Sequence, residues 1–225
     1  VLLILAAVAG IVLPLLPNMV TRAHTSTGAT NVGEVAKAIQ TYEAVNLAYP
    51  TNFDSLTLTP DAARPLPTYL PGSADLNVTE LDEEMVEALM KAGITAVRPM
   101  TSSGPDWSPT FFPYGTAKTV GPNELVLDPD SETYGFATLK PTTAARLGLS
   151  NPATTTYVVF GVGGYTSMQG KSLQEAPVHF SDSASNAPNM KYCRYGVVFQ
   201  VNGTDVNGNA VAIERAKLAQ IVAFH

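Results

Sequence analysis

Histidine and cysteine are the side chains best suited to metal binding or nucleophilic catalysis, and this chain of 225 residues has few of them. His24, His179 and His225 are far apart, and no HxxxH, HxxE or CxxC pattern joins them to each other or to Cys193, the one cysteine. Zinc ligands and activated thiols need partners at short, regular spacing. The sequence also lacks the G-x-S-x-G turn that presents a serine nucleophile. It therefore predicts no catalytic residue, no enzyme activity, no internal disulfide and a buried, unreactive Cys193.

Two acidic runs carry oxygen-bearing side chains at alternate positions, which is a pattern that hard cations such as calcium use. The first run contains Asp128, Asp130 and Glu132, and the second contains Asp205, Asn207 and Asn209. Neither run supplies the glutamate at the twelfth position that completes an EF-hand. Asn207-Gly208 also matches a two-residue hairpin turn. Calcium binding and a plain turn both remain open, and no other cofactor is expected.

The glycine-rich run Phe160-Gly161-Val162-Gly163-Gly164 follows a predicted strand. A glycine loop that binds a nucleotide must open a helix after that strand, and no helical pattern follows here. The run is therefore expected to form a turn or a bulge.

Composition and charge narrow the class of protein further. Charged residues make up 14% of the chain, against roughly 25% in typical globular domains. Thr, Ser, Asn, Gly and Pro fill most of the polar remainder, which favours strands and turns. The net charge of -6 gives no basic field for nucleic acid, whose binding is driven by counterion release.

The first twenty residues, Val1 to Val20, contain no charged side chain. As a helix they would be about 30 Å long, which matches the hydrocarbon core of a bilayer. Such a run could be a signal peptide, a transmembrane anchor, or a helix that rests in the membrane and later moves into the core of a polymer. A signal peptide would need a basic region in front of the run. Pro14 and Pro17 each remove a helical hydrogen bond, so we expect weak helix near 14–18.

An amphipathic pattern begins at Asn31. Asn31 and Glu34 have the spacing of a capping box, whereas residues 25–30 (TSTGAT) are poor helix formers. We therefore expect a helical spine over residues 1–50, weak near 14–18 and 25–30 and ended by Pro50. The side chains expected to dock it on the rest of the chain are apolar or aromatic and recur every three or four residues: Val35, Ile39, Tyr42 and Tyr49.

The segment Tyr42 to Thr51 reads Y-x-x-x-N-x-x-Y-P-T. It resembles the end of the N-terminal helix in type II secretion major pseudopilins and related bacterial type IV pilin-like proteins, with Leu47 where those families usually have glycine. A second, weaker resemblance lies further along the chain. The segment Leu127-Asp128-Pro129, followed by Tyr134-Gly135-Phe136, resembles the family's Asp-Pro-Trp-Gly-x-x-Tyr loop without its Trp-Gly. Two family features, a leading Phe and a Glu at the fifth mature position, are absent. Aligning Pro17 with the family's proline would make Val1 roughly the sixth mature residue.

The resemblance implies an α+β fold in which the long hydrophobic N-terminal helical spine packs on an antiparallel β-sheet. The sheet would belong to a β-rich head domain over residues 51–225, with one extra short helix and long loops. From the residues themselves we expect that helix at Thr79–Lys91, ended by Gly93. Expected strands are Ile94–Met100, Leu125–Leu127, Tyr134–Leu139, Thr156–Val162, Tyr195–Val201, Val211–Ile213 and Leu218–Phe224.

The functional expectation is a structural subunit of an extracellular type IV pilus-like or pseudopilus filament. Its partners would be copies of itself, with the inner membrane holding the chain before assembly and the filament lying in the periplasm or outside the cell. The residues expected to form the assembly core are Leu2, Leu3, Leu5, Val8, Ile11, Leu13, Pro14, Leu15, Leu16 and Pro17. The alternatives are a minor or piston pseudopilin of a type II secretion system and a membrane-anchored surface binding protein.

Overall fold

The computed structural model describes residues 16–58, 66–100, 124–130, 134–179 and 191–223, and the side chains of the first helix from Thr27 onward. Three α-helices lie in this part of the chain: α1 (Leu16–Asn46), α2 (Glu83–Lys91) and α3 (Pro141–Arg146). A short 3-10 helix spans Ser73–Asp75. The strands are β1 (Phe53–Asp54), β2 (Leu76–Leu81), β3 (Ala96–Arg98), β4 (Leu125–Val126), β5 (Tyr134–Leu139), β6 (Tyr157–Gly161), β7 (Tyr195–Thr204) and β8 (Ala210–Ala223).

All eight strands belong to one sheet, which curls into a half-barrel. The long antiparallel pair β7 and β8 forms one side of it, and β6 pairs with β7 along its whole length. The other edge of β6 meets two strands, β5 at Val158 and β1 at Gly161. Strand β2 pairs with β5, while β1 continues the sheet to β3 and β4. The β1–β3 pair is parallel, so the sheet is not purely antiparallel.

Alternate residues of β6 enter two different apolar clusters, because successive side chains of a strand point to opposite faces. Val158 and Phe160 lie in the cluster that includes residues of α1 and α2. Tyr157 and Val159 lie in the cluster that includes Ala144 of α3. The sheet is therefore covered on both faces, and buried phenylalanine rings contact one another on the α1 side.

The predicted fold class is wrong. The described part of the chain is organised by one eight-stranded sheet, and its first helix is not a long N-terminal spine. Within the described side chains, the fully or nearly buried residues of α1 are Val35, Ala38 and Ile39, whereas Thr27, Ala29 and Thr30 are exposed. Burial of apolar surface decides which element organises a fold, and the sheet supplies most of that surface here. The apolar period over 31–49 correctly located the helix face but did not reveal how little of the core it provides.

The course of α1 differs from the expected one in two places. Its backbone runs through residues 25–30 without interruption, where the sequence predicted a weak point. Its end lies at Asn46, four residues before Pro50. There the Asn46 side-chain amide donates to the Tyr42 carbonyl at 2.8 Å, and Leu47 takes a left-handed backbone with φ of 54°. This left-handed residue, rather than the proline, ends the helix.

Replacing Leu47 with glycine is expected to raise the free energy of unfolding by about 1 kcal/mol. A left-handed backbone costs a residue with a Cβ roughly that amount, and glycine adopts it freely. Leu47 is 83% exposed, so little packing is lost. The matched control is Val45→Gly at a position that is 76% exposed and inside the helix; it should lower stability by about 0.5 kcal/mol. Chemical denaturation measures both, and a destabilising Leu47→Gly change would contradict the assignment.

Helix α2 is shorter than predicted because its cap is Asp82, not Thr79. The Asp82 carboxylate accepts from the Met85 amide at 2.9 Å, and Gly93 follows the helix with φ of 100°. Thr79 lies instead in β2, a strand that the sequence did not predict, and its hydroxyl contacts that of Thr138 at 2.6 Å. Among the predicted strands, Tyr134–Leu139 has the observed bounds of β5. The two strands expected at Val211–Ile213 and Leu218–Phe224 are one continuous strand, β8.

Candidate functional site

The acidic run Asp205, Asn207 and Asn209 forms the turn at the tip of the β7–β8 hairpin. The Asp205 carboxylate accepts from the amides of Asn207 and Asn209, both at 2.8 Å, and from the Asn209 side chain at 3.2 Å. Hydrogen bonds from Asn209 hold the pKa of Asp205 below its usual value. Gly208 completes the turn with φ of 87°. The carboxylate oxygens therefore already have protein donors as neighbours.

The first acidic run is partly described. The Asp128 side chain accepts from the Asp130 amide at 3.1 Å, which is the geometry of a local turn. Glu132 lies outside the described residues. In the described part of the chain no group of three or more His, Cys, Asp and Glu side chains comes together. Calcium binding by either run stays a prediction.

His179 and Cys193 lie on adjacent backbone segments. The His179 amide donates to the Cys193 carbonyl at 2.9 Å, and the His179 ring stands edge-on to Tyr195. Cys193 is buried, and burial raises the pKa of its thiol to about 11. The thiol is therefore protonated near neutral pH. The side chain of His24 and the whole of His225 lie outside what the structure describes.

The glycine-rich run after β6 makes room for two buried polar side chains. A Cβ on Gly161 would overlap the hydroxyl of Tyr192. A Cβ on Gly163 would lie 2.5 Å from Cγ of Asp54 and closer still to both of its carboxylate oxygens. The run does not open a helix, and its glycines allow these two side chains to lie directly against the backbone.

Asp54 and Tyr192 form a buried acid–phenol pair that sequence reasoning missed. Both side chains are 0% exposed, and the Tyr192 hydroxyl donates to Oδ2 of Asp54 at 2.5 Å. Oδ1 of Asp54 is buried and has no hydrogen-bond partner among the described residues. Burial raises the pKa of Asp54 to about 7, although the bond from Tyr192 and the charges of Arg194 and Arg98 act in the opposite direction. Burial and the neighbouring Asp54 raise the pKa of Tyr192 well above its ordinary value. The pair can therefore take up or release one proton near neutral pH.

A second candidate is the helix seam, by which we mean the contacts of α1 and the following turn with the sheet. Its members are Tyr42, Glu43, Tyr49, Ser167 and Arg215. The Ser167 hydroxyl donates to the Tyr42 hydroxyl at 3.1 Å, and Arg215 pairs with Glu43 at 3.0 Å. The same guanidinium lies 5.2 Å from the centre of the Tyr49 ring. Tyr49 also packs edge-on against Phe199, with 5.1 Å between ring centres. The seam fixes the C-terminal half of α1 to β7 and β8.

The residues predicted to dock the helix lie at or beside this seam. Val35 and Ile39 are 0% exposed in the cluster on the α1 side of the sheet, and Tyr42 and Tyr49 pack against it while half-buried. The predicted assembly core cannot be placed in the same way. Its members Leu2, Leu3, Leu5, Val8, Ile11, Leu13, Pro14 and Leu15 lie outside the described residues. Leu16 and Pro17 begin α1, but their side chains are not described.

The face of the sheet opposite α1 carries a groove of about 320 Å³. Leu76, Leu139 and Val222 contribute to its apolar lining, with Asp75 and Arg146 at its polar end. The Asp75 carboxylate already accepts from Thr143 and Arg146, both at 2.9 Å. The groove therefore offers apolar surface with an engaged charge pair, which is a poor arrangement for acid–base chemistry.

Among the described helices, none is both long enough and apolar enough to cross a bilayer. The described residues offer two candidate functional features, which are the helix seam and the buried Asp54–Tyr192 pair. Searches among protein-family models, curated proteins and solved structures match nothing to this chain.

Proposed function

We propose that this chain is a structural subunit of an extracellular type IV pilus-like or pseudopilus filament, in which the uncharged segment Val1–Val20 joins neighbouring copies. The observation that carries the proposal is the join between two unlike parts of the chain. An apolar segment without charge leads into α1, and the C-terminal half of α1 is held in the core of the folded domain. The resemblance of Tyr42–Thr51 to pseudopilins supports the same function.

The apolar segment supplies the driving force for assembly. Burying apolar surface gives about 25 cal/mol per Å², so twenty uncharged residues strongly favour removal from water. A membrane can bury them before assembly, and copies of the same segment can bury them afterwards. Contacts between different surfaces of identical subunits repeat without closing and build an open helix. The partners are therefore copies of this chain, with the inner membrane as the site before assembly and a filament as the final location.

The seam supplies the mechanical connection. Val35 and Ile39 are completely buried, so α1 cannot leave the domain without exposing the core. The Arg215–Glu43 pair and the Tyr49 ring hold the end of the helix on β7 and β8. Thr27, Ala29 and Thr30 are exposed, so this part of α1 lies mostly in solvent, with Gly28 beside the His179 ring. A load applied to the leading segment would thus reach the sheet through the seam.

Deleting residues 1–24 is expected to convert a polymerising protein into a soluble monomer that keeps the folded domain. Size-exclusion chromatography with light scattering measures the assembly state, and circular dichroism checks the fold. A point variant makes the same test in the full chain: Val8→Asp with Ile11→Asp should abolish filaments seen by negative-stain electron microscopy. The matched control is Val206→Asp, at a fully exposed apolar position of the hairpin tip, which should leave them intact.

Two outcomes would contradict the proposal. The first is continued polymerisation of the fragment lacking residues 1–24, which would place the assembly element in the folded domain. The second is a full-length chain that stays dispersed and singly embedded in lipid. Electron microscopy of cell-surface material separates a main filament subunit from a minor or piston pseudopilin, because the filament would consist mostly of this chain only in the first case.

A further inference from the structure

We propose that Asp54 and Tyr192 form a proton-operated latch, in which residues 162–173, the latch loop, stay closed over Asp54 while its carboxyl is protonated and open more readily once it ionises. The proposal does not depend on filament assembly, because every group in it belongs to the folded domain.

The first step is the unmet hydrogen-bonding capacity of Asp54. Its carboxyl is completely buried, one oxygen accepts from Tyr192, and the part of the chain that the structure describes supplies no donor to Oδ1. A neutral carboxylic acid tolerates such a site, whereas a carboxylate normally needs several donors or water. Once Asp54 loses its proton, the carboxylate therefore needs further hydrogen-bond donors or water, which the closed structure does not supply.

The second step is the position of the loop. Gly163 lies directly against the carboxyl of Asp54, so closely that no Cβ fits between them. The loop backbone thus keeps water from the acid. Other neighbours of Asp54 are sheet partners, since Arg98 and Gly161 oppose it in β3 and β6. Gly164 and Tyr165, which follow Gly163, are exposed, so the loop can open at this point without separating strands of the sheet.

The third step concerns the charged and titratable groups around Asp54. Tyr192 and Arg194 face it from the segment that enters β7, and Arg98 faces it from β3. Arg194 donates to the Ala176 carbonyl, and Arg98 lies 5.1 Å from the centre of the Tyr165 ring. Both arginines favour the ionised acid, but burial outweighs them and leaves the pKa of Asp54 at about 7. The proton is therefore exchanged close to neutral pH.

The fourth step connects the latch loop with α1. Ser167 lies within the loop, its amide donates to the Thr51 carbonyl at 3.0 Å, and its hydroxyl accepts from the Thr51 amide at 2.9 Å. The same hydroxyl donates to Tyr42 of α1 at 3.1 Å. Lys171, also in the loop, lies 5.4 Å from the centre of the Tyr42 ring. Opening the loop would release these contacts, so the proton on Asp54 influences how firmly α1 is docked.

Hydrogen–deuterium exchange of the full chain in detergent micelles tests the latch at about pH 6 and about pH 8, on either side of the Asp54 pKa of about 7. After correction for the intrinsic effect of pH, protection of residues 162–173 should fall about tenfold, since an open loop restores an ordinary carboxyl pKa and each further pH unit favours opening. Asp54→Asn should abolish this pH dependence. The matched control Asp205→Asn changes a half-buried carboxylate at the hairpin tip and should keep the wild-type behaviour.

Two further measurements serve if Asp54→Asn does not fold. Tyr192→Phe removes only the phenol hydroxyl that donates to the carboxylate, so the pH at which protection is half lost should move upwards. Infrared spectra of the wild type should show the carbonyl band of a protonated buried acid at about pH 6 and its loss by about pH 8. Equal protection of the loop at both pH values, or an unchanged pH dependence in Asp54→Asn, would overturn the latch.

Discussion

Replacing Gly163 with alanine is expected to lower the free energy of unfolding by about 3 kcal/mol. The new methyl group would lie 2.5 Å from Cγ of Asp54, and the buried acid cannot move away without disturbing its hydrogen bond from Tyr192. Overpacking in a well-filled interior costs about 1–3 kcal/mol, and loss of the Tyr192 hydrogen bond adds to it. Urea denaturation followed by circular dichroism measures the change.

The neighbouring glycine provides a close control. A Cβ on Gly164 would meet only the end of the Gln169 side chain, at 3.6 Å, so Gly164→Ala should change stability by less than about 1 kcal/mol. Combining Gly163→Ala with Asp54→Ala should recover part of the loss, because the two residues compete for one space. Equal effects of the two glycine substitutions, or no recovery of stability in the double variant, would show that the Asp54 carboxyl does not exclude a side chain at position 163.

The elements that the sequence predicted correctly are those with a local cause. Strand β5 was found because an alternating apolar run lies between turn residues, and α2 because acidic residues precede an apolar face and Gly93 follows it. Thr79 was misassigned as the cap of α2 for an equally local reason: a Thr three residues before acidic side chains resembles a capping residue. Its true role, pairing with Thr138 across β2 and β5, depends on a partner far along the chain.

The prediction of the fold class was wrong for a different reason. The charge-free run at 1–20 and the amphipathic run from Asn31 suggested that one long helix organises the domain. In the structure a curled sheet provides the organisation, and α1 contributes Val35, Ala38 and Ile39 to its cover. Hydrophobic periodicity shows which face of a helix is buried, but it does not show how much sheet surface is available to bury it.

The candidate site shows the same limit. Asp54 and Tyr192 are separated by 138 positions, and no spacing rule connects an aspartate after a phenylalanine with a distant tyrosine. The local signal was the glycine pair at 161 and 163, which was interpreted as a turn. A strand followed by glycines at alternate positions indicates that something approaches the backbone closely, and here the approaching groups are the phenol and the acid.

The free energy of unfolding is expected to fall by about 3 kcal/mol as the pH rises from about 5 to about 8. The folded chain holds the Asp54 proton up to about pH 7, whereas the unfolded chain releases it near the ordinary value of 3.8. The folded state therefore binds more protons in this interval. The stabilising contribution is complete below the unfolded pKa and is lost as the pH rises through the folded one. Denaturation curves recorded across the interval measure the slope.

Asp75 and Asp205 do not produce this slope. Both carboxylates have lowered pKa values in the folded chain, so their contributions are lost only as the pH falls through the acidic range. Asp54→Asn should therefore flatten the profile between about pH 5 and about pH 8, while Asp205→Asn should leave its slope unchanged. A wild-type domain whose stability is constant or increases over the interval would mean that Asp54 is ionised in the folded state, and that its buried oxygen has found donors that the closed structure lacks.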